Sequence, residues 1–387
     1  MPILNRVSAF ADELGAWRRD IHSHPELSGE EVRTPALVAE RLKAFGCDEV
    51  VTGIGRTGVV ARIKGNRPGE KVIGLRADMD ALPIDEATGK PYASTAAGKM
   101  HACGHDGHTT MLLGAARYLA ETRNFAGEVV LIFQPAEESG EGARAMIADG
   151  LMDRFGITEV YGMHNMPGIP VGQFAIRPGS IMAAADWFTV EIEGKGSHAA
   201  RPNESIDTLY IAALTVTALQ AIVARNVDPI ESAILSVTQI SAGNTFNVIP
   251  QTATLKGTIR SFSPKVRDLV HARFAEIVNG VAAMHGARAT LEIRQGSTAT
   301  VNHDDETLLA ARAAADIVGE TLVDGAVTPC TASEDFGLML EERPGAFIFI
   351  GNGDSAGLHH PRYDFDDASL PIGASYWARL VEMASAR

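Results

Sequence analysis

The sequence predicts an α/β protein: a large catalytic domain with a mixed, mostly parallel sheet covered by helices, plus an inserted ferredoxin-like α+β domain. A chain of 387 residues is longer than one compact core usually supports. Short, almost continuous apolar segments alternate with helical segments through most of the chain, as in covered sheets. Between residues 181 and 295 the predicted order is instead β-α-β-β-α-β. These observations favour two domains of different architecture.

The change of pattern sets the predicted domain boundaries. Residues 1–180 form the first segment of the large domain, residues 181–295 the inserted domain, and residues 296–387 the second segment. A β-α-β-β-α-β unit is complete in itself and can be inserted without disturbing the sheet of its host. The large domain is therefore expected to be discontinuous in sequence.

The composition argues against several classes of partner. The formal net charge is −14 at pH 7 and no run of Lys and Arg occurs, which disfavours nucleic acid. No apolar segment approaches the roughly 18 residues of a membrane span, and the start of the chain resembles an amphipathic helix rather than an export signal. Cys47, Cys103 and Cys330 are odd in number and widely separated, as in a reducing compartment. A cytoplasmic protein is expected.

Helical periodicity opens the chain over residues 6–46. Apolar side chains recur on one face of each of two helices: Val7, Phe10, Leu14 and Trp17, then Val38, Leu42 and Phe45. His22 and His24 lie in the turn between the helices and are interpreted as structural. Strands of the large domain are predicted at residues 58–63, 72–77, 128–133, 159–163 and 346–350.

The inserted domain is predicted from alternation of apolar and polar side chains, which begins at residues 187–193 and is typical of a half-exposed strand. The later elements follow in order: a helix at 206–224, strands at 233–241 and 252–261, a helix at 264–285 and a strand at 289–294.

Residues 101–108, His-Ala-Cys-Gly-His-Asp-Gly-His, place three imidazoles and one of the three thiols within eight positions. A tight loop at Gly104 can direct the sulfur of Cys103 and a ring nitrogen of His105 at one point, as metal ligation requires. A helix is predicted over residues 109–121, with Asp106 as its N-cap. Taken alone, the segment is also compatible with a free buried cysteine beside solvated histidines.

Ligand-type side chains follow the predicted strands at their carboxyl ends, where open α/β sheets collect their ligands. Eight side chains lie at or just beyond these ends: Asp78, Asp80, Cys103, His105, Glu137, Glu138, His164 and His359. Acidic turn residues and helix caps explain one or two such positions but not all of them. We therefore expect these side chains to form a common site.

The number of ligand-type residues indicates two ions. Five side chains have ligand character: Cys103, His105, Glu138, His164 and His359. They exceed what one tetrahedral ion with an open position uses, whereas two ions that share a ligand fit the count. Glu137, next to a ligand in the same turn, is suited to be a general base. Asp80 can accept a hydrogen bond from a ligand imidazole and fix its tautomer, and Asp78 is a second candidate for that role.

Nine motifs, in order along nearly the whole chain, carry a family resemblance. They lie at residues 76–83, 101–108, 134–138 (Gln-Pro-Ala-Glu-Glu), 162–164, 196–202, 246–250, 257–262, 333–336 and 358–361. Together they resemble the aminoacylase/carboxypeptidase family of di-metal amidohydrolases. The Cys-Gly-His and Pro-Ala-Glu-Glu elements are similar to those of its hippurate hydrolase and indole-acetyl-amino-acid hydrolase branch.

The resemblance implies hydrolysis of an N-acyl (aroyl or acetyl) amino acid to a carboxylate and a free amino acid. It implies that Cys103 bridges two divalent ions and that Glu137 is the base and later the acid. The remaining ligands implied are His105, Glu138, His164 and His359. Zn²⁺ or Mn²⁺ is expected, with Co²⁺ and Ni²⁺ as further candidates. The chain has His359-His360-Pro361 where the family usually has one His before Ser or Asn, and alignment on the Pro makes His359 the ligand.

The resemblance also assigns roles within the inserted domain. His198 and Asn247 are expected to contact the reacting carbonyl, and Arg260 to hold the substrate carboxylate with its bidentate fork. A turn histidine, a turn asparagine and a surface ion pair are the structural alternatives for these three residues. A homodimer through the inserted domain is implied, with His198 acting on the metals of the other chain, and a dimer of such dimers is a further candidate.

Two other functions compete with the amidohydrolase. A metallo-dipeptidase, a carboxypeptidase or an aminopeptidase-like enzyme would use the same scaffold. A free amine required on the substrate would distinguish the dipeptidase or aminopeptidase-like enzyme from the amidohydrolase. A protein that merely binds metal or amino acids belongs to a different class, but it would have no need of Glu137 beside Glu138.

Overall fold

The computed structural model describes residues 4–386 and divides into two compact units. The large unit comprises the chain up to Ile181, Val301–Thr328 and the chain from Asp335 onwards. The small unit comprises Met182–Thr300 and Pro329–Glu334. Residues 329–334, which the sequence-based boundaries assign to the large domain, thus group with the small unit.

Helices occur in both units. Their bounds are α1 Asn5–Ser8, α2 Ala11–His22, α3 Arg33–Ala44, α4 His105–Thr122, α5 Gly142–Ala148, α6 Leu151–Arg154, α7 Thr208–Leu219, α8 Ala221–Arg225, α9 Pro264–Met284, α10 Asp304–Val318, α11 Gly337–Glu342 and α12 Ser369–Ala384. Short 3-10 turns occur at Pro202–Glu204 and Glu320–Leu322. Residues 1–3, in the start of the chain that resembles an amphipathic helix, lie outside the described residues.

The strands have the following bounds: β1 Glu49–Ile54, β2 Gly58–Lys64, β3 Arg67–Asp78, β4 Ala126–Gln134, β5 Glu159–Met166, β6 Phe174–Ala175, β7 Gly179–Met182, β8 Ala184–Glu193, β9 Ser197–His198, β10 Ala233–Ala242, β11 Val248–Ile249, β12 Thr252–Ser261, β13 Arg288–Gln295, β14 Thr300–Asn302, β15 Val323–Asp324 and β16 Gly345–Gly351.

The large unit is organised around a sheet with the strand order β1-β2-β4-β3-β5-β16-β6-β15. Strand β3 is parallel to β4 and β5, β16 is parallel to β5, and β15 is parallel to β6. The remaining neighbours are antiparallel. The central strands β4, β3, β5 and β16 therefore run in one direction, and their carboxyl ends meet at one end of the sheet.

The central strands are buried on both faces, which explains their almost continuous apolar sequences. In β4, Val129, Leu131 and Phe133 belong to a core that residues of α4 and α12 complete. Val130 and Ile132 point to the opposite face and are fully buried as well. The carboxyl ends of these strands thus rest on a rigid, covered layer.

The small unit contains a sheet with the order β10-β12-β8-β13, antiparallel throughout. Helices α7 and α9 supply Ile211, Leu219, Val270 and Phe274 to the core on one side of this sheet. The chain order of its main elements, β8-α7-β10-β12-α9-β13, is the predicted ferredoxin-like pattern. Strands β10 and β13 form its two edges.

One segment departs from the expectation that no apolar stretch reaches the length of a membrane span. Thr208–Arg225 passes that test by length and composition, with a mean hydropathy of 1.5. In the fold it is divided into α7 and α8 at Gln220, and the predicted single helix over 206–224 is wrong in this respect. Its buried apolar side chains contribute to the core of the small unit, whereas Leu209 and Tyr210 are about half exposed.

Candidate metal centre

The ligand-type residues of the large unit converge at the carboxyl ends of its central strands. They are arranged in the order of the sheet: Glu137 and Glu138 after β4, Asp78 and Asp80 at the end of β3, His164 in β5 and His359 after β16. Strand β5 continues to Met166, beyond its predicted end, so His164 lies within it. Parallel strands thus deliver side chains from distant parts of the sequence to one place.

Gly104 determines how the loop before α4 presents its ligands. The helix begins at His105, earlier than predicted, and Gly104 is its N-cap with φ 89°. A Cβ at this position would lie 2.3 Å from Nδ2 of Asn165 and 2.4 Å from Oη of Tyr363. The close approach and the left-handed backbone both require glycine. Cys103 and His105 are thereby placed on either side of a fixed turn.

Cys103 belongs to two groups of potential metal ligands. Its Sγ and ring nitrogens of His105 and His164 lie within 4.8 Å of one another, and Sγ forms a second such group with Glu138 and His359. Sγ is 3.4 Å from Nε2 of His164, and Nε2 of His359 is 3.4 Å from Oε1 of Glu138. A thiolate common to two ligand groups is suited to bridge two ions.

Hydrogen bonds fix the nitrogen that each buried histidine presents. Nδ1 of His105 is 3.2 Å from Oδ1 of Asp80, and its Nε2 is buried without a hydrogen-bond partner. Nδ1 of His164 donates to the backbone oxygen of Asn165 at 2.6 Å, which leaves Nε2 facing Cys103. When such an imidazole is neutral, it offers the Nε2 lone pair, as metal-binding histidines do.

Burial and acidic neighbours set the protonation of the site. Burial opposes the charged form of His105, but Asp78, Asp80 and Glu138 outweigh it and raise its pKa to about 10. Burial, followed by the charges of Glu138 and Glu137, raises the pKa of Cys103 well above its ordinary value. Divalent cations would displace both protons and compensate the acidic charges. Two such ions fit this mixed set of sulfur, nitrogen and oxygen donors, which includes the Nε2 of His105 that has no hydrogen-bond partner.

His108 has a structural role that the sequence did not reveal. Its Nδ1 lies 2.6 Å from Oδ1 of Asp78, and its Nε2 accepts from the backbone N–H of Asn165 at 2.9 Å. Both ring nitrogens are thus engaged. Asp78 also accepts from Arg76 at 2.7 Å, so it anchors His108 and the end of β3 behind the metal ligands.

Asp106 does not cap α4 as predicted. Gly104 occupies the N-cap position, and the Asp106 side chain makes no capping hydrogen bond. It is fully buried, accepts from Nδ1 of His22 at 2.8 Å and lies 3.4 Å from Nη1 of Arg18. The prediction of a helix cap was wrong because Asp106 follows the first helical residue and points into a buried ion-pair network.

The His22 imidazole should make stability depend on pH. Burial opposes its charged form, but Asp106 and Glu86 outweigh it and raise its pKa from 6.5 to about 9. The stabilisation, about 3 kcal/mol, is then fully present below pH 6.5 and is lost as pH rises through about 9. Denaturant unfolding at constant metal concentration should show His22→Gln less stable than wild type at pH 6, with the difference shrinking towards pH 10.

His24→Gln is the matched control, because His24 is two residues away and its side chain is 43% exposed. We expect this variant to follow the wild-type pH profile. A stability difference between wild type and His22→Gln that does not change with pH would contradict the ion-pair interpretation.

Glu137 and Glu138 differ in their neighbours although they are adjacent. Oε2 of Glu137 and Oε1 of Glu138 are each 3.9 Å from Nε2 of His105. Glu138 also groups with Cys103 and His359, whereas no ligand group in the described part of the chain joins Glu137 to the sulfur. The backbone N–H of Glu138 donates to Oδ2 of Asp80 at 3.0 Å. Asp80 thus contacts both a ligand imidazole and the turn that carries the acidic pair.

The structure distinguishes the two histidines before Pro361. His359 has φ 62°, donates its backbone N–H to the oxygen of Ala102 at 2.8 Å, and belongs to the group with Cys103. Both side chains are exposed, but Nδ1 of His360 accepts from the backbone N–H of Arg362 at 3.0 Å. His359 is therefore the one placed among the potential ligands.

In the small unit, His198 and Asn247 lie beside each other. His198 pairs with Val248 between β9 and β11, and the oxygen of Asn247 accepts from the N–H of Ala199 at 3.0 Å. Both side chains are exposed. Arg260 lies apart from them on β12, where burial lowers its pKa and its Nη1 has no hydrogen-bond partner. The structure thus brings two of the three predicted residues together.

The sequence profile described as "Peptidase family M20/M25/M40" matches residues 74–383. The chain belongs to this peptidase family. It is 42% identical to the hippurate hydrolase of Campylobacter jejuni over 98% of this chain and 99% of that protein. It is 44% identical to the N-acetyl-L-cysteine deacetylase of Bacillus subtilis over 96% of this chain and 88% of that protein.

A solved structure of the M20 family supports the same conclusion. The crystal structure of the Bacillus subtilis YXEP protein, described as a dinuclear metal-binding peptidase, superposes with a TM-score of 0.86 at 35% identity. The match covers 98% of this chain and 99% of that one. The predicted family and the predicted α/β fold class are confirmed. The dinuclear description of that relative and the two groups of candidate ligands that contain Cys103 support binding of two divalent ions.

Proposed function

We propose that the protein is a metal-dependent amidohydrolase that cleaves the amide bond of N-acyl amino acids. The observation that carries this proposal is the pairing of Glu137, outside both Cys103-containing ligand groups, with Glu138 inside one of them. The hippurate hydrolase and the deacetylase that resemble the chain over nearly its full length support the same class of substrate. The products are a carboxylate and a free amino acid.

The proposed ligands are Cys103, His105, Glu138, His164 and His359. Bound divalent ions would supply Lewis acidity, which lowers the pKa of a water and polarises the amide carbonyl. Sulfur and imidazole donors favour Zn²⁺, and Mn²⁺, Co²⁺ and Ni²⁺ are the other ions to be tested.

Glu137 is proposed to move the proton of the reaction. Its carboxylate, 9% exposed and 3.9 Å from Nε2 of His105, accepts a proton from the attacking water. It then donates that proton to the amide nitrogen as the bond to the acyl carbon breaks. Asp80 keeps the proton of His105 on Nδ1, because its Oδ1 accepts the hydrogen bond from that nitrogen.

The small unit is proposed to recognise the substrate. Arg260, with a buried Nη1 that lacks a hydrogen-bond partner, offers a fork for the carboxylate of the amino acid. His198 and Asn247 are proposed to donate to the reacting carbonyl oxygen, where a positioned donor is typically worth about 10²–10³ in kcat.

One substrate screen tests the proposed activity. Purified enzyme is loaded separately with Zn²⁺, Mn²⁺, Co²⁺ or Ni²⁺ and supplied with N-benzoyl and N-acetyl amino acids and with dipeptides. Hydrolysis of N-acyl amino acids without any need for a free amine is the expected result. Cleavage confined to dipeptides would favour the hypothesis of a metallo-dipeptidase or carboxypeptidase and would overturn the proposal.

We infer a homodimer through the small unit. Edge strands carry unpaired backbone groups that are usually covered, and β10 is such an edge. Large exposed apolar side chains accumulate in the same unit, among them Leu209, Tyr210, Ile240 and Met284. A cytoplasmic location rests on the free cysteines Cys47, Cys103 and Cys330.

Mixing two inactive variants should reveal whether His198 acts on the other chain of this dimer. His198→Ala and Glu137→Gln are each expected to have low kcat. After subunit exchange, a heterodimer in which His198 acts in trans has one doubly defective site and one intact site, so activity should reappear. The measurement is kcat before and after mixing, with exchange followed by differently labelled chains. Proven exchange without recovery would mean that His198 acts within its own chain or is merely structural.

A further inference from the structure

The turn that carries Glu137 and Glu138 contains a backbone conformation that residues other than glycine rarely adopt. Ala136 has φ 54°, in the left-handed region. For a residue with a Cβ this conformation costs about 1–2 kcal/mol. The backbone of Ala136 must therefore be held by contacts with other parts of the chain.

The side chain of Glu31 forms a hydrogen bond with the backbone amide of Ala136. Its Oε1 accepts from the backbone N–H of Ala136 at 2.9 Å, and its Oε2 accepts from Oγ1 of Thr57 at 2.9 Å. Glu31 is fully buried and forms no ion pair with the described residues 4–386. Burial raises its pKa from the ordinary value. A buried carboxylate without a basic partner is costly, so the hydrogen bonds of Glu31 point to a specific task.

Two carboxylates hold the turn on either side of Glu137. Glu31 accepts a hydrogen bond from the backbone N–H of Ala136, and Oδ2 of Asp80 accepts one from the backbone N–H of Glu138 at 3.0 Å. Oγ of Ser28 donates to the same Oδ2 at 2.6 Å. Residues 28–31, which contain no predicted site residue, therefore support both anchors of the turn.

We propose that Glu31 is a positioning residue for the reaction, which holds the left-handed turn at Ala136 and thereby orients Glu137 and Glu138. The part of this inference that concerns Glu137 rests on the proposed function. The part that concerns Glu138 can be tested by metal affinity alone. The alternative is that Glu31 merely stabilises the fold by joining the loop at Thr57 to its surroundings.

Substitutions of Glu31 separate these roles. Gln keeps an acceptor for the Ala136 N–H, so Glu31→Gln should keep kcat within about threefold of wild type, whereas Glu31→Ala should lower kcat by about 10- to 100-fold. KM should change little, because the substrate contacts remain. The dissociation constant of Co²⁺, followed by its absorption spectrum, should rise about tenfold in Glu31→Ala, since Glu138 lies on the same turn.

Thr57→Val is the matched control, because it removes the hydrogen bond from Thr57 to Glu31 and leaves the Ala136 contact in place. It should lower Tm without lowering kcat. Ala136→Gly, which makes the left-handed backbone easier, should restore part of the activity of Glu31→Ala. If Glu31→Ala does not fold, Glu31→Asp, whose shorter side chain cannot keep both contacts, takes its place.

Wild-type kcat and Co²⁺ affinity in Glu31→Ala, or equal losses in Thr57→Val at a similar Tm, would overturn the positioning role. A wild-type enzyme that hydrolyses no N-acyl amino acid would instead overturn the proposed function. In that case the Co²⁺ titrations of the Glu31 variants still decide whether Glu31 orients Glu138.

Discussion

Replacement of Glu137 by Gln is expected to lower kcat by about 10²–10⁴ while the metal content stays at the wild-type value. Gln keeps the shape of the side chain but cannot accept the proton of the attacking water. The Cys103-containing ligand groups do not include Glu137, so the ions should remain. The measurement combines steady-state kinetics with elemental analysis of the purified variant.

Glu138→Gln is the matched comparison, since it makes the same chemical change one residue later. Glu138 groups with Cys103 and His359, so loss of its charge should release metal and abolish activity for that reason. The activity of Glu138→Gln should recover in part at high metal concentration, and that of Glu137→Gln should not. Metal loss in Glu137→Gln with retention in Glu138→Gln would reverse the two roles.

The parts of the site that could be predicted are those that depend on sheet topology. Apolar segments that end in polar residues identified the central strands, and parallel strands place their carboxyl ends together. This brought Asp80, Glu138 and His164 to one end of the sheet from separate parts of the sequence. This convergence depends on which strands are buried and on their direction, and both can be inferred from the order of apolar and polar residues in the sequence.

The contacts that hold the ligands could not be predicted in the same way. Asp106 follows a polar loop and precedes an apolar helix, as an N-cap does, yet its side chain pairs with His22. Glu31 lies in an unremarkable Gly-Glu-Glu segment, and its hydrogen bond joins it to an amide 105 positions later. Such contacts depend on how loops pack in three dimensions, and loop packing cannot be predicted from the periodicity or spacing of residues in the sequence.

The position of a strand end was a smaller error with a physical cause. The apolar segment predicts a strand that ends at residue 163, immediately before His164. Strand β5 nevertheless continues to Met166, since β16 pairs with it throughout that region. Hydrogen bonds from Asn165 to Cys103 and His108 allow these polar residues to be buried within the strand.

Cys103→Ala is expected to remove most of the bound metal, from about two ions per chain to fewer than one, and to lower activity by at least about 10³-fold. The reason is that both ligand groups contain its sulfur, so one substitution weakens both positions. Cys47→Ala is the matched control, because Cys47 is also a free cysteine but packs at the edge of the hydrophobic core. It should keep its full metal content. Two ions per chain in folded Cys103→Ala would show that the ions are held without a shared thiolate, and the bridging role of Cys103 would then be wrong.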